Sequence, residues 1–262
     1  MWRKAYDIKW TVTGDFLCVK ARWEGQTFFL PPFGPEEGLL DVVEQLMDHA
    51  KQSNFPFMFQ GVEKYMTEWL EKIKPGYFQC KSDRENFDYV YLAKDLIELK
   101  GRKFHNKKNH VNAFRKAYPD YQYVPLTADM TDACIAFMVE WCEERDCVKG
   151  DSIDCERNAI VEAMNHFTTL NFRGGSIFID GQMVAFTYGE RSNNDTAVIH
   201  VEKGHTRFKG VYGVINQEFC AHNWSDIEYI NREEDMGIEG LRKAKESYNP
   251  IKMIEKYLVT VK

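Results

Sequence analysis

Features that mark membrane, secreted and serine-dependent proteins are missing from this chain of 262 residues. No apolar run approaches the roughly 20 residues of a membrane span. The segment 1–7 contains no apolar stretch of the kind found in secretory signals. No Gly-x-Ser-x-Gly elbow, no Ser/His/Asp order and no Gly-Lys-Ser/Thr of a Walker loop occurs. These absences favour a cytoplasmic protein that works without a covalent serine intermediate.

Closely paired cysteines are lacking as well. The seven cysteines are an odd number, and none of them forms a Cys-x-x-Cys motif. Four fall between Cys134 and Cys155, but their spacing fits no usual zinc pattern, and Cys134 shares a helical face with Phe137 and Trp141. We therefore expect reduced thiols and no metal site, as is usual for a cytosolic protein.

The charge and composition describe an acidic protein with ample material for a core. The net charge is -6, with 44% hydrophobic and 14% aromatic residues. Such a charge argues against wholesale coating of nucleic acid, although a local basic site can still exist on an acidic protein.

Periodicity and turn dipeptides predict the same order of elements in both halves: hairpin, loop, helix, strand, helix, strand. This order favours an α/β protein of two lobes, which we place at 1–118 and 119–262. The first lobe would include a basic helix at 93–116. Predicted strands lie at 15–21, 26–30, 55–60, 77–80, 176–179, 183–190, 196–202, 227–230 and 256–261. Further predicted helices lie at 38–51, 62–72, 128–147, 154–168, 211–222 and 237–247.

A basic loop joins the strand at 196–202 to the helix that begins at Val211. The unpaired N–H groups and positive dipole of a helix N-terminus make an anion site. Three cations lie in the loop beside this helix N-terminus, so the loop is a candidate for binding the phosphates of a carrier molecule. The alternative is an ordinary basic turn. The candidate residues are Lys203, Arg207, Lys209, Gly210, Val211, Tyr212 and Gly213.

A second basic segment lies between Glu98 and Asp120, with no acid inside it. On one continuous helix, Lys100, Lys103 and Lys107 would share a face. Such a face could bind the phosphates of a tRNA acceptor end, a nucleotide carrier or an anionic membrane surface; the alternative is a solvated helix face. The candidates are Arg102, Lys103, His105, Lys107 and Lys108.

Proton transfer could involve two side chains of the strand at 196–202. His200 and Glu202 lie two residues apart, so their side chains are expected on one face. An amine that attacks an ester or thioester must lose a proton, which a carboxylate or a histidine can accept.

Three stretches together resemble one known family. The stretches are Leu-Lys-Gly-Arg-Lys-Phe-His-Asn-Lys-Lys-Asn-His-Val-Asn-Ala-Phe at 99–114, Asn-Arg-Glu-Glu-Asp-Met-Gly at 231–237 and Leu-Arg-Lys-Ala-Lys-Glu-Ser-Tyr-Asn-Pro at 241–250. They are similar to the C-terminal catalytic domain of bacterial phosphatidylglycerol lysyltransferases. The resemblance covers residue 10 to the end. It implies two GNAT-like lobes with mixed, mostly antiparallel sheets flanked by helices, related to the Fem-type aminoacyl transferases.

The loop at 207–213 also resembles the pyrophosphate loop of GNAT acyltransferases, with Tyr212 where that pattern has Gly or Ala. By the same resemblance, Tyr248 would protonate the leaving group and Asn231 would follow the site strand. Asp235, Arg242 and Lys245 are further site candidates from the family stretches.

The resemblances imply an enzyme that moves an acyl or aminoacyl group from an activated carrier to an amine or hydroxyl acceptor, without a tightly bound cofactor. Aminoacyl-tRNA is the favoured donor, and the acceptor would be a small molecule or a lipid headgroup. Two alternatives stay open: an acyl-CoA-dependent N-acetyltransferase, and a non-catalytic module that binds an anion or a partner. The sequence does not identify the acceptor within these classes, and it does not predict the oligomeric state.

Overall fold

The computed structural model describes residues 1–144 and 152–262 and divides the chain into two compact units. The first unit comprises Met1–Phe87 and Ile254–Lys262, and the second comprises Asp88–Met253. The predicted joint between the helices at 128–147 and 154–168 lies outside the described residues, as do Cys147 and the side chain of Cys155.

The first unit contains one six-stranded sheet and two helices. Its strands are β1 (Lys9–Thr13), β2 (Phe16–Trp23), β3 (Gln26–Phe29), β4 (Met58–Glu63), β5 (Phe78–Ser82) and, from the end of the chain, β13 (Lys256–Val261). The helices are α1 (Leu39–Gln52) and α2 (Lys64–Ile73). The sheet order is β1-β2-β3-β4-β13-β5, and only the β3–β4 pair is parallel.

The second unit contains a seven-stranded sheet. Its strands are β6 (Asp88–Leu92), β7 (Gln122–Pro125), β8 (Arg173–Ile179), β9 (Gln182–Arg191), β10 (Thr196–Gly204), β11 (Tyr229–Asn231) and β12 (Lys252–Ile254). Its helices are α3 (Ala93–Glu98), α4 (His105–Ala117), α5 (Thr131–Glu143), α6 (Ser152–Asn165), α7 (Val211–Asn223) and α8 (Glu239–Glu246).

The second sheet has the order β12-β6-β11-β10-β9-β8-β7, and β10 pairs with β11 in parallel. The recurring order of hairpin, helix, strand, helix and strand therefore appears in both units, as the periodicity predicts. Each unit has its own core of buried apolar side chains. In the second unit, Val214, Ile215 and Phe219 of α7 are fully buried in that core.

The observed division differs from the predicted lobes in two places. The last strand, placed by sequence in the second lobe, pairs with β4 and β5 of the first unit. The basic helix at 93–116, placed in the first lobe, belongs to the second unit, because β6 before it pairs with β11. Local periodicity identifies a strand but does not show which strand it pairs with. The observed units are therefore divided after Phe87 and after Met253, not at residue 118.

The predicted helix at 93–116 is also two helices. Leu99 and Gly101 adopt positive φ angles of 45° and 90°, which end α3 and separate it from α4. A non-glycine residue rarely takes this conformation, so the sequence gives little warning of the break. Consequently Lys100 and Lys103 precede α4, whereas Lys107 lies within it, and the three residues do not share one helical face.

Candidate active site in the second unit

A cluster of charged and aromatic side chains gathers beside the parallel pair of strands in the second unit. Glu202 comes from β10, and Arg232 directly follows β11. Lys107 comes from α4 and Tyr248 from the turn after α8. Four separate elements thus converge, and three of these residues are candidates from the sequence.

An ion pair between Glu202 and Arg232 forms the centre of the cluster. Arg232 Nη2 donates to Glu202 Oε1 at 2.8 Å, and both side chains are only 11% exposed. Asn216 of α7 donates from Nδ2 to the other carboxylate oxygen at 2.9 Å. Each oxygen of Glu202 therefore accepts one hydrogen bond, and these two donors favour the ionised carboxylate.

The guanidinium of Arg232 lies against two tyrosine rings. Its central carbon is 4.8 Å from the ring centroid of Tyr248 and 5.6 Å from that of Tyr91, a cation–π arrangement. Burial opposes the charge, but the carboxylate of Glu202 holds the pKa of Arg232 above its usual value. Its Nη1 is buried and donates no hydrogen bond to any residue that the structure describes. A buried donor in this state is costly unless an acceptor arrives.

Lys107 and Tyr248 complete the cluster. The Nζ of Lys107 lies 4.1 Å from the ring centroid of Tyr248. Burial, with the positive charge of Arg232, lowers the pKa of Lys107 to about 8. Burial raises the pKa of Tyr248 to about 12, so its phenol keeps its proton near neutral pH. The pair thus offers an amine that exchanges protons near neutrality and a phenol that can donate one.

The other site candidates from the family stretches form hydrogen bonds with the backbone and side chains of the segment 231–237, next to this cluster. Asp235 is fully buried and accepts hydrogen bonds from the Tyr89 hydroxyl, from Arg242 and from the backbone N–H of Gly237. The ammonium of Lys245 donates to the carbonyls of residues 232, 233 and 234. Asn231 donates to Asp88 at 3.1 Å and accepts from the N–H of residue 233. These contacts fix the segment that carries Arg232.

His200 belongs to a different group of residues. Its two ring nitrogens lie 2.8 Å from Glu233 and 3.0 Å from Glu190. A bulge in β10 shifts the pairing register between Ile199 and Val201, at His200 itself. His200 and Glu202 contact different partners, although the alternation of burial along β10 keeps both on its less buried side.

The ion pairs of His200 predict a pH-dependent contribution to stability. Burial lowers the pKa of this imidazole, but the hydrogen bonds and charges of Glu233 and Glu190 outweigh it and raise the pKa above its usual value. The contribution is complete below about pH 6.5, the unfolded value, and disappears as pH rises through the folded pKa. We expect the free energy of unfolding, measured with urea, to be higher for wild type than for His200→Asn at pH 6. This difference should become smaller as the pH rises to 8. A difference that is constant or grows over this range would contradict the protonated pair.

The loop at 203–213 has the predicted form, but acidic side chains pair two of its three cations. Lys203 lies 2.8 Å from Glu156 and over the ring of Trp141. Arg207 pairs with Glu144 at 2.8 Å. Lys209 is exposed and forms no ion pair with any residue in the described ranges. A carrier phosphate would have to compete with these carboxylates.

The helix that follows the loop begins where the sequence predicts. Gly210 has a positive φ of 94° and precedes Val211, the first residue of α7. A Cβ on Gly210 would lie 2.6 Å from the carbonyl oxygen of His110, so α4 packs closely on this turn. Tyr212 accepts a hydrogen bond from the Trp141 indole, and Gly213 lies near the Tyr248 hydroxyl.

The basic segment divides into exposed and buried members. Arg102, Lys103, His105 and Lys108 are exposed. Lys103 also pairs with Asp95 at 2.8 Å. Lys107, assigned with them to anion binding, turns inward to Tyr248 instead. Arg232, which sequence reasoning missed, occupies the centre; a cation immediately after the buried strand end at Asn231 was the available signal.

The described residues contain no group of three or more histidine, cysteine or acidic side chains arranged to hold a metal ion. Nor does the part of the chain that the structure describes include a helix with the length and apolar character needed to cross a membrane.

A family model described as "Phosphatidylglycerol lysyltransferase, C-terminal" matches residues 1–260. The chain belongs to this family. A solved protein of unknown function from Bacteroides thetaiotaomicron is similar to this chain, with 41% identity and a TM-score of 0.93; the match covers 100% of this chain and 88% of the relative. A curated uncharacterized protein of Mycoplasmoides gallisepticum is 22% identical over 73% of the chain, which spans 62% of that relative's length.

More distant structures share the fold. L-PGS from Bacillus licheniformis has 13% identity over 99% of this chain and 89% of its own, at a TM-score of 0.69. FemX has 9% identity over 100% of this chain and 90% of its own, at a TM-score of 0.67. The predicted resemblance and the fold of two GNAT-like units with mostly antiparallel sheets are confirmed. Membership of the family supports an acyl or aminoacyl transferase, and the distant structures show the shared fold.

Proposed function

We propose that this family member transfers an aminoacyl group from aminoacyl-tRNA to an amine or hydroxyl acceptor, using the cluster around Arg232. The observation that carries the proposal is a buried guanidinium, Arg232, that shares the Tyr248 ring with Lys107 and whose Nη1 has no acceptor of normal geometry among the described residues. Acyl transfer passes through a tetrahedral intermediate with a negative oxygen. A fixed donor aimed at that oxygen is commonly the largest contribution to such a reaction.

Each group then has one role in the transfer. The acceptor attacks the ester carbonyl, and its proton passes to neutral Lys107, whose pKa is about 8. Arg232 Nη1 donates to the oxyanion, while Glu202 holds the guanidinium in place. When the ester C–O bond breaks, Tyr248 protonates the departing oxygen. The proton held by Lys107 returns to Tyr248 through water, because Lys107 Nζ lies over the ring face and not within hydrogen-bond distance of the hydroxyl. The new bond is an amide or an ester, and the carrier leaves with a free hydroxyl.

Glu202 stays a candidate base, as the sequence predicts, although both its oxygens accept hydrogen bonds. His200 is less suited, because Glu190 and Glu233 take both of its ring nitrogens.

The proposed donor is supported by the charges of the second unit. The exposed cations at 102, 103 and 108 are available to phosphates; among the residues that the structure describes, Lys103 pairs with Asp95 and the other two have no ion-pair partner. In contrast, two of the three loop cations expected to hold coenzyme A are paired with glutamates. Phosphate contacts of this kind position a nucleic acid without reading its bases.

A filter-retention experiment with labelled tRNA tests the donor. The variant Arg102→Ala with Lys103→Ala and Lys108→Ala should bind more weakly. The plot of log affinity against log salt should flatten by about 2 to 3 units, because each lost phosphate contact removes about 0.7 to 0.9. The matched control replaces three exposed lysines of the first unit, Lys51, Lys64 and Lys72, with alanine and should behave as wild type.

The same preparations distinguish the alternatives. A rise in melting temperature with acetyl-CoA, without tRNA retention, would favour an acyl-CoA-dependent N-acetyltransferase. Transfer itself is measured as aminoacyl hydroxamate formed from charged tRNA, with hydroxylamine as a surrogate acceptor. Binding without hydroxamate above the uncatalysed background would favour a non-catalytic module.

A further inference from the structure

A groove in the first unit lies between the edge strand β1 and the helix α1. Its volume is about 330 Å³, at the lower end of the range found for small-molecule pockets. Strand β1 is the outermost strand of its sheet, and the residues Lys9, Trp10, Thr11 and Val12 are all exposed. Helix α1 therefore leaves this edge uncovered, and the groove opens there.

The pairing register shows which side chains face the groove. Thr11 pairs with Cys18, and Lys9 pairs with Lys20. Directly paired residues share a face of the sheet. Helix α1 covers this face, because His49 Nε2 lies 2.9 Å from Lys20 Nζ.

The floor of the groove is apolar. Cys18 and Phe29 line it from the sheet, and Val42 and Leu46 line it from one face of α1. All four side chains are buried, each with at most 9% of its surface exposed. An apolar body of a ligand would thus find a preformed surface.

The charges around the groove have one sign. Lys9, Lys20 and His49 line it, and no carboxylate is among its described lining residues. Lys9 has a partner in Asp7 at 3.4 Å. Lys20 forms no ion pair within the described ranges, and its ammonium lies 2.9 Å from His49 Nε2, close enough to donate one hydrogen bond. An ammonium has three N–H donors, so two remain for an anion.

We propose that this groove is a separate binding site for a medium-chain carboxylate. The carboxylate would accept hydrogen bonds from Lys20, and the hydrocarbon chain would lie on Cys18, Phe29, Val42 and Leu46. The site involves none of the residues proposed for acyl transfer, so it can exist whether or not that function is correct.

Calorimetric titration with octanoate, octanol and octylamine tests the site. Octanoate should bind best, and octylamine should not bind, because the groove carries only positive charge. Lys20→Met keeps the aliphatic stem and removes the donors, so octanoate should bind about 10- to 100-fold more weakly. Octanol should bind Lys20→Met and wild type equally.

A second variant separates the groove from the rest of the surface. Thr11→Trp places a large side chain at the exposed edge, where folding should tolerate it, and should abolish binding of both octanoate and octanol. Octanoate binding that survives Lys20→Met or Thr11→Trp undiminished would overturn the assignment. So would binding of an acidic extended peptide without binding of octanoate, which would indicate strand addition at β1.

Discussion

Asp235→Ala is expected to lower the free energy of unfolding by about 3 kcal/mol or more, as for other buried ion pairs that lose one partner. Its fully buried carboxylate accepts from the Tyr89 hydroxyl at 2.6 Å and from Arg242 Nε and Nη2 at 2.8 and 2.9 Å. The turn amide of Gly237 donates to it as well, at 2.9 Å. Urea unfolding measures the change, and an unaltered m-value would show that the denatured state is the same.

The pH dependence distinguishes a loss of charge from a loss of shape. Burial opposes ionisation of Asp235, but the hydrogen bonds from Arg242, Tyr89 and Gly237 hold its pKa well below the usual range. The contribution is therefore complete above the unfolded pKa of about 3.9 and is lost as pH falls through the folded value. Asp235→Asn keeps the shape of the side chain but removes its charge. The difference in the free energy of unfolding between wild type and Asp235→Asn should therefore become smaller only below about pH 5. Equal stability of wild type and Asn at pH 7 would contradict a structural ion pair.

Elements with a clear period could be predicted, because local chemistry determines them. The helix beginning at Val211 and the hairpin around Asp180-Gly181 are set by apolar spacing and by turn residues that tolerate positive φ. Strand pairing is different, since it depends on residues far apart in the chain. The last strand has a correct position in the sequence but a partner that no local signal identifies.

The candidate site shows the same limit at the level of side chains. The local sequence predicts Lys203 and Arg207 to be phosphate ligands, since it does not show their ion-pair partners. These partners, Glu156 and Glu144, lie far earlier in the chain. The sequence places Lys107 among several exposed cations because it predicts one continuous helix. The break at Leu99–Gly101 separates Lys107 from Lys100 and Lys103. Ion pairing and burial depend on the three-dimensional structure, whereas the residue types of a motif can be taken from the sequence alone. Tyr248 and Glu202 are candidates from the sequence that lie in the cluster, whereas Arg232, which contacts both, is not a candidate from the sequence.

Arg232→Met is expected to reduce hydroxamate formation from charged tRNA by about 100- to 1000-fold, the usual cost of removing one donor to an oxyanion. The loss should fall mainly on kcat, because the donor acts on charge that develops during the reaction. Arg232→Lys tests the geometry: it keeps the charge but lacks the fork that reaches Glu202 with Nη2 while leaving Nη1 free. We therefore expect the lysine variant to recover little of the activity.

A double variant separates this catalytic effect from a loss of stability. Arg232→Met alone leaves the buried carboxylate of Glu202 without its cation, which should cost about 3 to 5 kcal/mol of stability. Adding Glu202→Gln removes that stranded charge, and the Gln amide oxygen can still accept from Asn216. The double variant should thus unfold close to the wild-type urea concentration and yet stay inactive. Glu202→Gln alone keeps Arg232 and should retain most of the activity, because Lys107 is the proposed base. Recovery of activity together with stability would show that Arg232 only supports the fold, because a donor to the reacting oxygen cannot be replaced by restoring the packing around it.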